Sequence, residues 1–348
     1  MQVCFSGKTA DEAWQQAADA FRSGEGVIDE SSRGGATHEL LQVAFKIEDP
    51  RQRWVASRVP AMNPAFGLAE VIWIMAGRND SAFLNYWNPI LPKYAGDGET
   101  YDGAYGHRLR QRLGLDQLER AYRSLRSNPG TRQVVLQIWD ATSDLPKEDG
   151  LPSSADIPCN IVSLLKVRGG KLYWTQIIRS NDLFLGVPHN FVQFMTLQEI
   201  MSGWLGLEPG PYVQWSDSLH VYEDRLSSLG IANLSQSVTN TDNLALPKEV
   251  SDQSLSTLSS QLNGMLSNAM SASDVRKWAK ADDLPRPYQH MLSILSADAA
   301  RRFGDLAAAD EIAAECNNPL LTQLWMRWRS RQIELATQRP RSRRMYSD

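Results

Sequence analysis

Two apolar, β-branched runs joined by a double glycine constrain this chain more than any other feature. Residues 159–167 and 172–179 have strand composition, and Arg168-Gly169-Gly170-Lys171 between them supplies a tight hairpin turn. Residues 133–139 share that composition, so a mostly antiparallel sheet is expected. Downstream, Asn190 precedes Phe191, Phe194, Leu197, Ile200, Met201 and Trp204, whose three-and-four spacing predicts a long buried helix with Asn190 at its N-terminal end. A second apolar helix is expected within residues 60–77, flanked by prolines and closed by Gly77. It carries Glu70 among Leu68, Val71, Ile72 and Trp73, where burying a carboxylate is costly without a partner or a purpose.

Past residue 235 the texture changes to a Ser/Asn/Thr-rich linker, followed by expected helices over 273–281, 288–309 and 320–337. The division is therefore an α+β unit over 1–240 and a helical extension over 241–348. The extension ends in Arg339, Arg341, Arg343 and Arg344, which read as a solvated end rather than a nucleic-acid arm. A chain of 348 residues accommodates one large core with such an appendage. Its apolar runs are too short to span a bilayer and its start has no signal-peptide order, so no membrane partner is expected and the location is cytoplasmic. The three cysteines, Cys4, Cys159 and Cys316, are scattered and far from CxxC spacing, which argues against disulfides and a structural metal.

The stretch from Arg179 to Asn190, Arg-Ser-Asn-Asp-Leu-Phe-Leu-Gly-Val-Pro-His-Asn, resembles the thymidylate synthase signature Arg-Ser-x-Asp-x-Phe-Leu-Gly-x-Pro-Phe-Asn. One family position is changed, to His189. Asp156-Ile157-Pro158-Cys159 is similar to the family's Pro-Cys nucleophile and lies twenty residues before Arg179, the family's interval. Ser218-Leu219-His220-Val221-Tyr222 is similar to the His-x-Tyr that holds a sugar 3′-hydroxyl. Weaker likenesses are Ser31-Ser32-Arg33-Gly34-Gly35, Glu70 with Trp73, Ala104-Tyr105-Gly106 and Thr131-Arg132-Gln133. Together they cover residues 20–235 and imply a thymidylate synthase-like fold. The activity implied is folate-dependent one-carbon transfer to C5 of a pyrimidine nucleotide, with methylenetetrahydrofolate as the donor.

The residue types suit that chemistry. C5 of a pyrimidine becomes nucleophilic once a thiolate adds at C6, and Cys159 is the candidate, with Arg179 near it to favour the thiolate. Asn190 is able to donate to O4 and accept from N3–H, which favours uracil over cytosine. Glu70 is the candidate for organising a water beside O4, and Tyr105 resembles the tyrosine that helps remove the C5 proton. The resemblance assigns the phosphate to Arg33, Arg132, Arg179 and Ser180, and the sugar to His220 and Tyr222. Asp182, Gly186 and His189 fall at folate-facing positions. It also implies a homodimer, with Arg132 completing the neighbouring site.

Two departures bear on the product. The pocket tryptophans of the synthases fall near Leu91 and Tyr94, with Trp87 the one tryptophan nearby, and the chain's end lacks their short apolar closing segment. Asn160 follows the nucleophile where synthases have histidine, and His189 replaces a phenylalanine. A more polar pocket lets water reach the C5 methylene before hydride does. The expected product is therefore 5-hydroxymethyl-dUMP, as made by hydroxymethylases of this superfamily in phage DNA modification. For a phage-encoded chain the location is the host cytoplasm. The alternatives are a thymidylate synthase with an unusual folate pocket, and a catalytically silent homologue that binds nucleotide or RNA.

Overall fold

The computed structural model describes residues 3–29, 34–234, 238–266, 272–279 and 283–338. The expected Arg33 contact and the basic tail lie outside them. The strands are β1 (Cys4–Gly7), β2 (Val27–Asp29), β3 (Thr37–Ile47), β4 (Arg58–Val59), β5 (Val135–Gln137), β6 (Asn160–Arg168), β7 (Lys171–Asp182), β8 (Glu208–Tyr222) and β9 (Gly230–Ile231). The helices of the first part are α1 (Ala10–Arg22), α2 (Pro64–Met75), α3 (Ser81–Trp87), α4 (Pro92–Ala95), α5 (Tyr105–His107), α6 (Gln117–Ser127), α7 (Ala141–Asp144), α8 (Gly186–Trp204) and α9 (Glu223–Leu226). Then come α10 (Lys248–Met265), α11 (Ala272–Trp278), α12 (Arg286–Arg302), α13 (Leu306–Ala314) and α14 (Pro319–Gln338).

Seven strands form one sheet in the order β1-β3-β8-β7-β6-β5, with β2 added on β3, while β4 pairs with β9. Four of its pairings are antiparallel, as expected, but β1–β3 and β7–β8 are parallel. A hairpin cannot join parallel neighbours, and α8 provides the crossover from β7 to β8. The β6–β7 hairpin turns where the glycines put it: Arg168 pairs with Lys171, and Gly169 and Gly170 have φ of 55° and 71°.

The helix expected to begin at Asn190 starts four residues earlier, at Gly186. Pro188 falls in its first turn, where a missing N–H leaves no intrahelical bond unmade. Asn190 is therefore not a cap, and its amide is available for other bonds. Helix α8 lies between the sheet and α2, and every residue of it is buried except Gly186 and His189. In α2 every residue is buried except Glu70. These exceptions mark where the site opens.

Past residue 240, α10 is a helix the sequence reading does not anticipate, and it packs on α2, α8 and α12. The single helix expected over 288–309 is two. Gly304, at φ 84°, stops α12 and Asp305 caps α13 through the Ala308 amide at 2.9 Å. The strand expected over 133–139 shortens to three residues. Helix α12 also lies against α2, and Arg302 near its end donates to the Trp87 carbonyl at 2.8 Å.

Candidate active site

Glu70 and His189 face each other where α2 crosses α8, with Nδ1 of the imidazole 3.0 Å from Oε2 of the carboxylate. The approach is off the ring N–H direction, so both atoms are buried without an aligned hydrogen bond. Phe66, one turn before Glu70, supports the imidazole at 5.0 Å between ring centroids. The two side chains remain partly exposed, at 18% for His189 and 14% for Glu70.

Tyr105 reaches this pair because α5 packs tightly on α2. Gly106 makes that approach possible: a Cβ there would lie 2.3 Å from the Ile74 carbonyl oxygen. The Tyr105 phenol is pushed well above its usual range by burial first and then by Cys159, against a hydrogen bond with the Asn160 side chain. Asp156 and Glu70 add to the rise, so the phenol keeps its proton at any neutral pH.

A chain of buried amides runs from Asn160, next to Cys159, to helix α8. Gln176 donates to Asn160 Oδ1 at 2.9 Å, Asn160 donates to Asn190 Oδ1 at 3.1 Å, and Asn190 donates to Asn181 Oδ1 at 3.0 Å. Asn181 then donates to Ser216 at 3.0 Å, while Ser163 and Trp174 donate to Gln176. A side-chain amide has two N–H groups and two acceptor lone pairs, and Asn190 spends one of each on its neighbours. Among the described residues one donor and one acceptor remain. Gly186 allows the chain to close, since a Cβ there would stand 2.9 Å from Asn181 Oδ1.

Cys159 is half-buried at the entrance to β6, followed by a bulge between Asn160 and Val162 that re-aims the strand. Arg179 fixes its approach: Nε and Nη2 donate to the Pro158 and Ile157 carbonyls at 3.0 and 3.2 Å, and its backbone amide donates to the Cys159 carbonyl at 2.9 Å. Its guanidinium lies 5.4 Å from the Trp139 ring centre. Cys4 is exposed, whereas burial pushes the Cys316 thiol up to about 11. Five expected residues, Cys159, Asn190, His189, Glu70 and Tyr105, thus close a ring with Asn160, which joins Cys159 to Asn190.

Other expected residues lie along β7 and β8. Asp182 pairs across to His220, and Ser180 to Ser218. Asp182 Oδ1 accepts from the Phe184 and Leu185 amides at 2.6 and 2.9 Å, which braces the turn into α8. Burial raises the Asp182 carboxyl and lowers His220, the latter against the attraction of Asp182 and Glu39. Tyr222 stacks edge-on with His220 at 5.4 Å and covers Gly34, where a Cβ would meet its hydroxyl at 2.6 Å. This brings the Gly34 loop to the end of β8. Arg132 is exposed ahead of β5 and has no ion pair among the described residues.

Trp87 is 1% exposed and packs against Tyr86 inside the core, while Leu91 is half-buried and Tyr94 exposed. The sequence reading missed Gln176, the partner of Asn160, and Asn181, the partner of Asn190, and the support from Phe66. A usable signal was present: amides at inward positions of otherwise apolar strands. Among the described residues no group of three or more His, Cys, Asp or Glu is placed to hold a metal ion, and no helix is long and apolar enough to cross a membrane.

The thymidylate synthase family model matches residues 29–262. The chain is 37% identical over 203 residues to a deoxyuridylate hydroxymethyltransferase of Bacillus phage SP01, covering 55% of this chain and 52% of that protein. It is 37% identical over 169 residues to the protein of the same name from Pseudomonas phage M6, covering 48% and 47%. It is 31% identical over 143 residues to thymidylate synthase 1/2 of Encephalitozoon cuniculi (strain GB-M1), covering 41% and 43%. The chain spans about half the length of these relatives.

Proposed function

The chain belongs to the thymidylate synthase family, and from that premise we propose that it is a transferase that hydroxymethylates C5 of dUMP. Cys159 adds to C6, which moves charge onto O4 and makes C5 nucleophilic. Asn190 meets the uracil edge with the capacity it has left, its free N–H to O4 and its free lone pair to N3–H. A cytosine would present the opposite pattern at C4. Tyr105, held protonated, helps to pass the C5 proton to water, and Glu70 orients a water beside O4 and C5. Arg33, Arg132, Arg179 and Ser180 take the phosphate, with Arg132 reaching the neighbouring subunit of a homodimer, and His220 and Tyr222 take the sugar.

Methylenetetrahydrofolate supplies the one-carbon unit. The residues present fit it: Asp182 commits Oδ1 to backbone amides and has Oδ2 left for the donors of a pterin edge, beside Gly186 and the open face of His189. The observation that carries hydroxymethylation over methylation is the Glu70–His189 pair, a polar contact where the family places a phenylalanine. Trp87, turned into the core, supports the same outcome, because hydride transfer requires the folate stacked over the base. The relatives named deoxyuridylate hydroxymethyltransferase also support it. Mass spectrometry of the products from dUMP, dCMP and CMP tests the proposal. A product from dUMP about 30 mass units heavier, the mass of an added CH2O, is expected, with no rise in dihydrofolate absorbance. A product about 14 units heavier with stoichiometric dihydrofolate would return the chain to the synthases.

A further inference from the structure

The Glu70–His189 contact leads one step past the reading above, on which this inference rests. Across all of α2 and α8, the residues that escape burial are Glu70, Gly186 and His189, so the opening between these helices is walled by this pair. Its inner atoms, Glu70 Oε2 and His189 Nδ1, are sealed and close, while no described residue bonds to His189 Nε2 in a side chain that stays 18% exposed. At 3.0 Å the charge of the carboxylate favours the tautomer with its proton on Nδ1, even without an aligned hydrogen bond, and leaves Nε2 as an acceptor toward the opening.

The remaining members of the ring offer no competing base. Asn160 and Asn190 are amides, Tyr105 keeps its proton, and Cys159 is committed to C6. Of the pair, Glu70 turns its inner oxygen to Nδ1, so it is the imidazole that presents an acceptor, Nε2, on the other side of the contact. We propose that His189 is the general base of the hydration step, taking a proton on Nε2 from the water that attacks the exocyclic C5 methylene, with Glu70 fixing the imidazole through Nδ1.

The step balances without an oxidant or reductant. The water oxygen bonds to the methylene carbon, and the methylene π pair moves through C5 onto O4 as an enolate. The enolate re-forms the C5–C6 double bond, the C6–S bond breaks, and Cys159 leaves as thiolate. The proton on His189 passes to solvent. Tetrahydrofolate, released when the methylene forms, keeps its oxidation level.

The test uses the full-length protein and the variants His189→Phe and His189→Gln, with dUMP and methylenetetrahydrofolate. The wild-type product is identified first, so a methyl product would reject hydroxymethylation itself and be distinguishable from failure of the His189 role. In both variants we expect hydroxymethyl product to fall at least about tenfold while tritium release from C5 persists, because proton removal from C5 precedes hydration. The stranded methylene should then be captured by added 2-mercaptoethanol as a C5 thioether. Hydroxymethylation within about twofold of wild type in both variants would overturn the proposal. So would parallel loss of tritium release and product, which would assign His189 to binding or folding.

Discussion

Two carboxylates, Glu70 and Glu199, sit on the apolar helices α2 and α8, and their surroundings differ. Glu199 in α8 is 0% exposed and fully engaged: Oε2 pairs with Arg53, and Oε1 accepts from the Leu244 amide at 2.9 Å and lies 3.3 Å from Arg51. Glu70 in α2 has one oxygen against the misaligned His189 nitrogen and no hydrogen bond to a described residue. Burying a carboxylate is tolerated when its lone pairs are filled. Glu199 therefore holds structure, tying α8 to the linker at Leu244, while Glu70 keeps its capacity for something outside the chain.

The sharpest way to break this contrast is to neutralise each carboxylate in turn. Glu70→Gln should lower turnover by about 10² to 10⁴-fold, the usual range for a lost proton-transfer group, and leave the thermal midpoint within a few degrees. Glu199→Gln should do the reverse. It strands Arg53 and costs about 3–5 kcal/mol in denaturant unfolding, with the product unchanged. Equal stability losses in the two variants would erase the distinction.

Asn190 lies between these extremes, half engaged and half open. Asn190→Asp should reduce kcat/KM for dUMP by about 10²-fold and shift preference toward cytosine nucleotides, measured by competition between dUMP and dCMP. A wild type that already prefers dCMP would contradict the hydrogen-bond count. Gly106→Ala probes the spacing that brings Tyr105 to Glu70. It should cost about 1–3 kcal/mol and slow tritium release from C5 more than it weakens dUMP binding.

How much of this was legible beforehand depends on whether the cause was local. The hairpin was legible because Gly169 and Gly170 specify their own backbone conformation. The start of α8 was misplaced because the apolar three-and-four spacing begins only at Phe191, whereas the first turn extends back through Pro188 to Gly186. The α12–α13 break was hidden because apolar spacing continues through Gly304. Cys159, Asn190, His189 and Glu70 were each identifiable. Their ring was not, since the Asn160–Asn190 and Glu70–His189 contacts join residues 30 and 119 positions apart, arithmetic that no local periodicity reveals.

The smallest expected effect concerns His220. Burial lowers its pKa below the ordinary histidine value, so the folded chain binds fewer protons than the unfolded chain just below about pH 6.5. Stability is present above that pH and declines as pH falls through the window. His107, lowered by burial and then by Arg112 and Arg108, acts in the same direction. His220→Gln should flatten the slope of thermal midpoint against pH in that window, leaving the part due to His107. A steeper slope would reverse the assignment.

The central claim is that Cys159 forms a covalent bond to a uracil nucleotide at the start of a one-carbon transfer. Intact mass spectrometry with 5-fluoro-dUMP and methylenetetrahydrofolate tests it most directly, because fluorine at C5 cannot leave as a proton does and halts the reaction with the thiolate still attached. The account predicts one nucleotide–folate adduct per chain, mapped to the peptide containing Cys159 and lost in Cys159→Ser. No adduct, or an adduct that persists in Cys159→Ser, would contradict it.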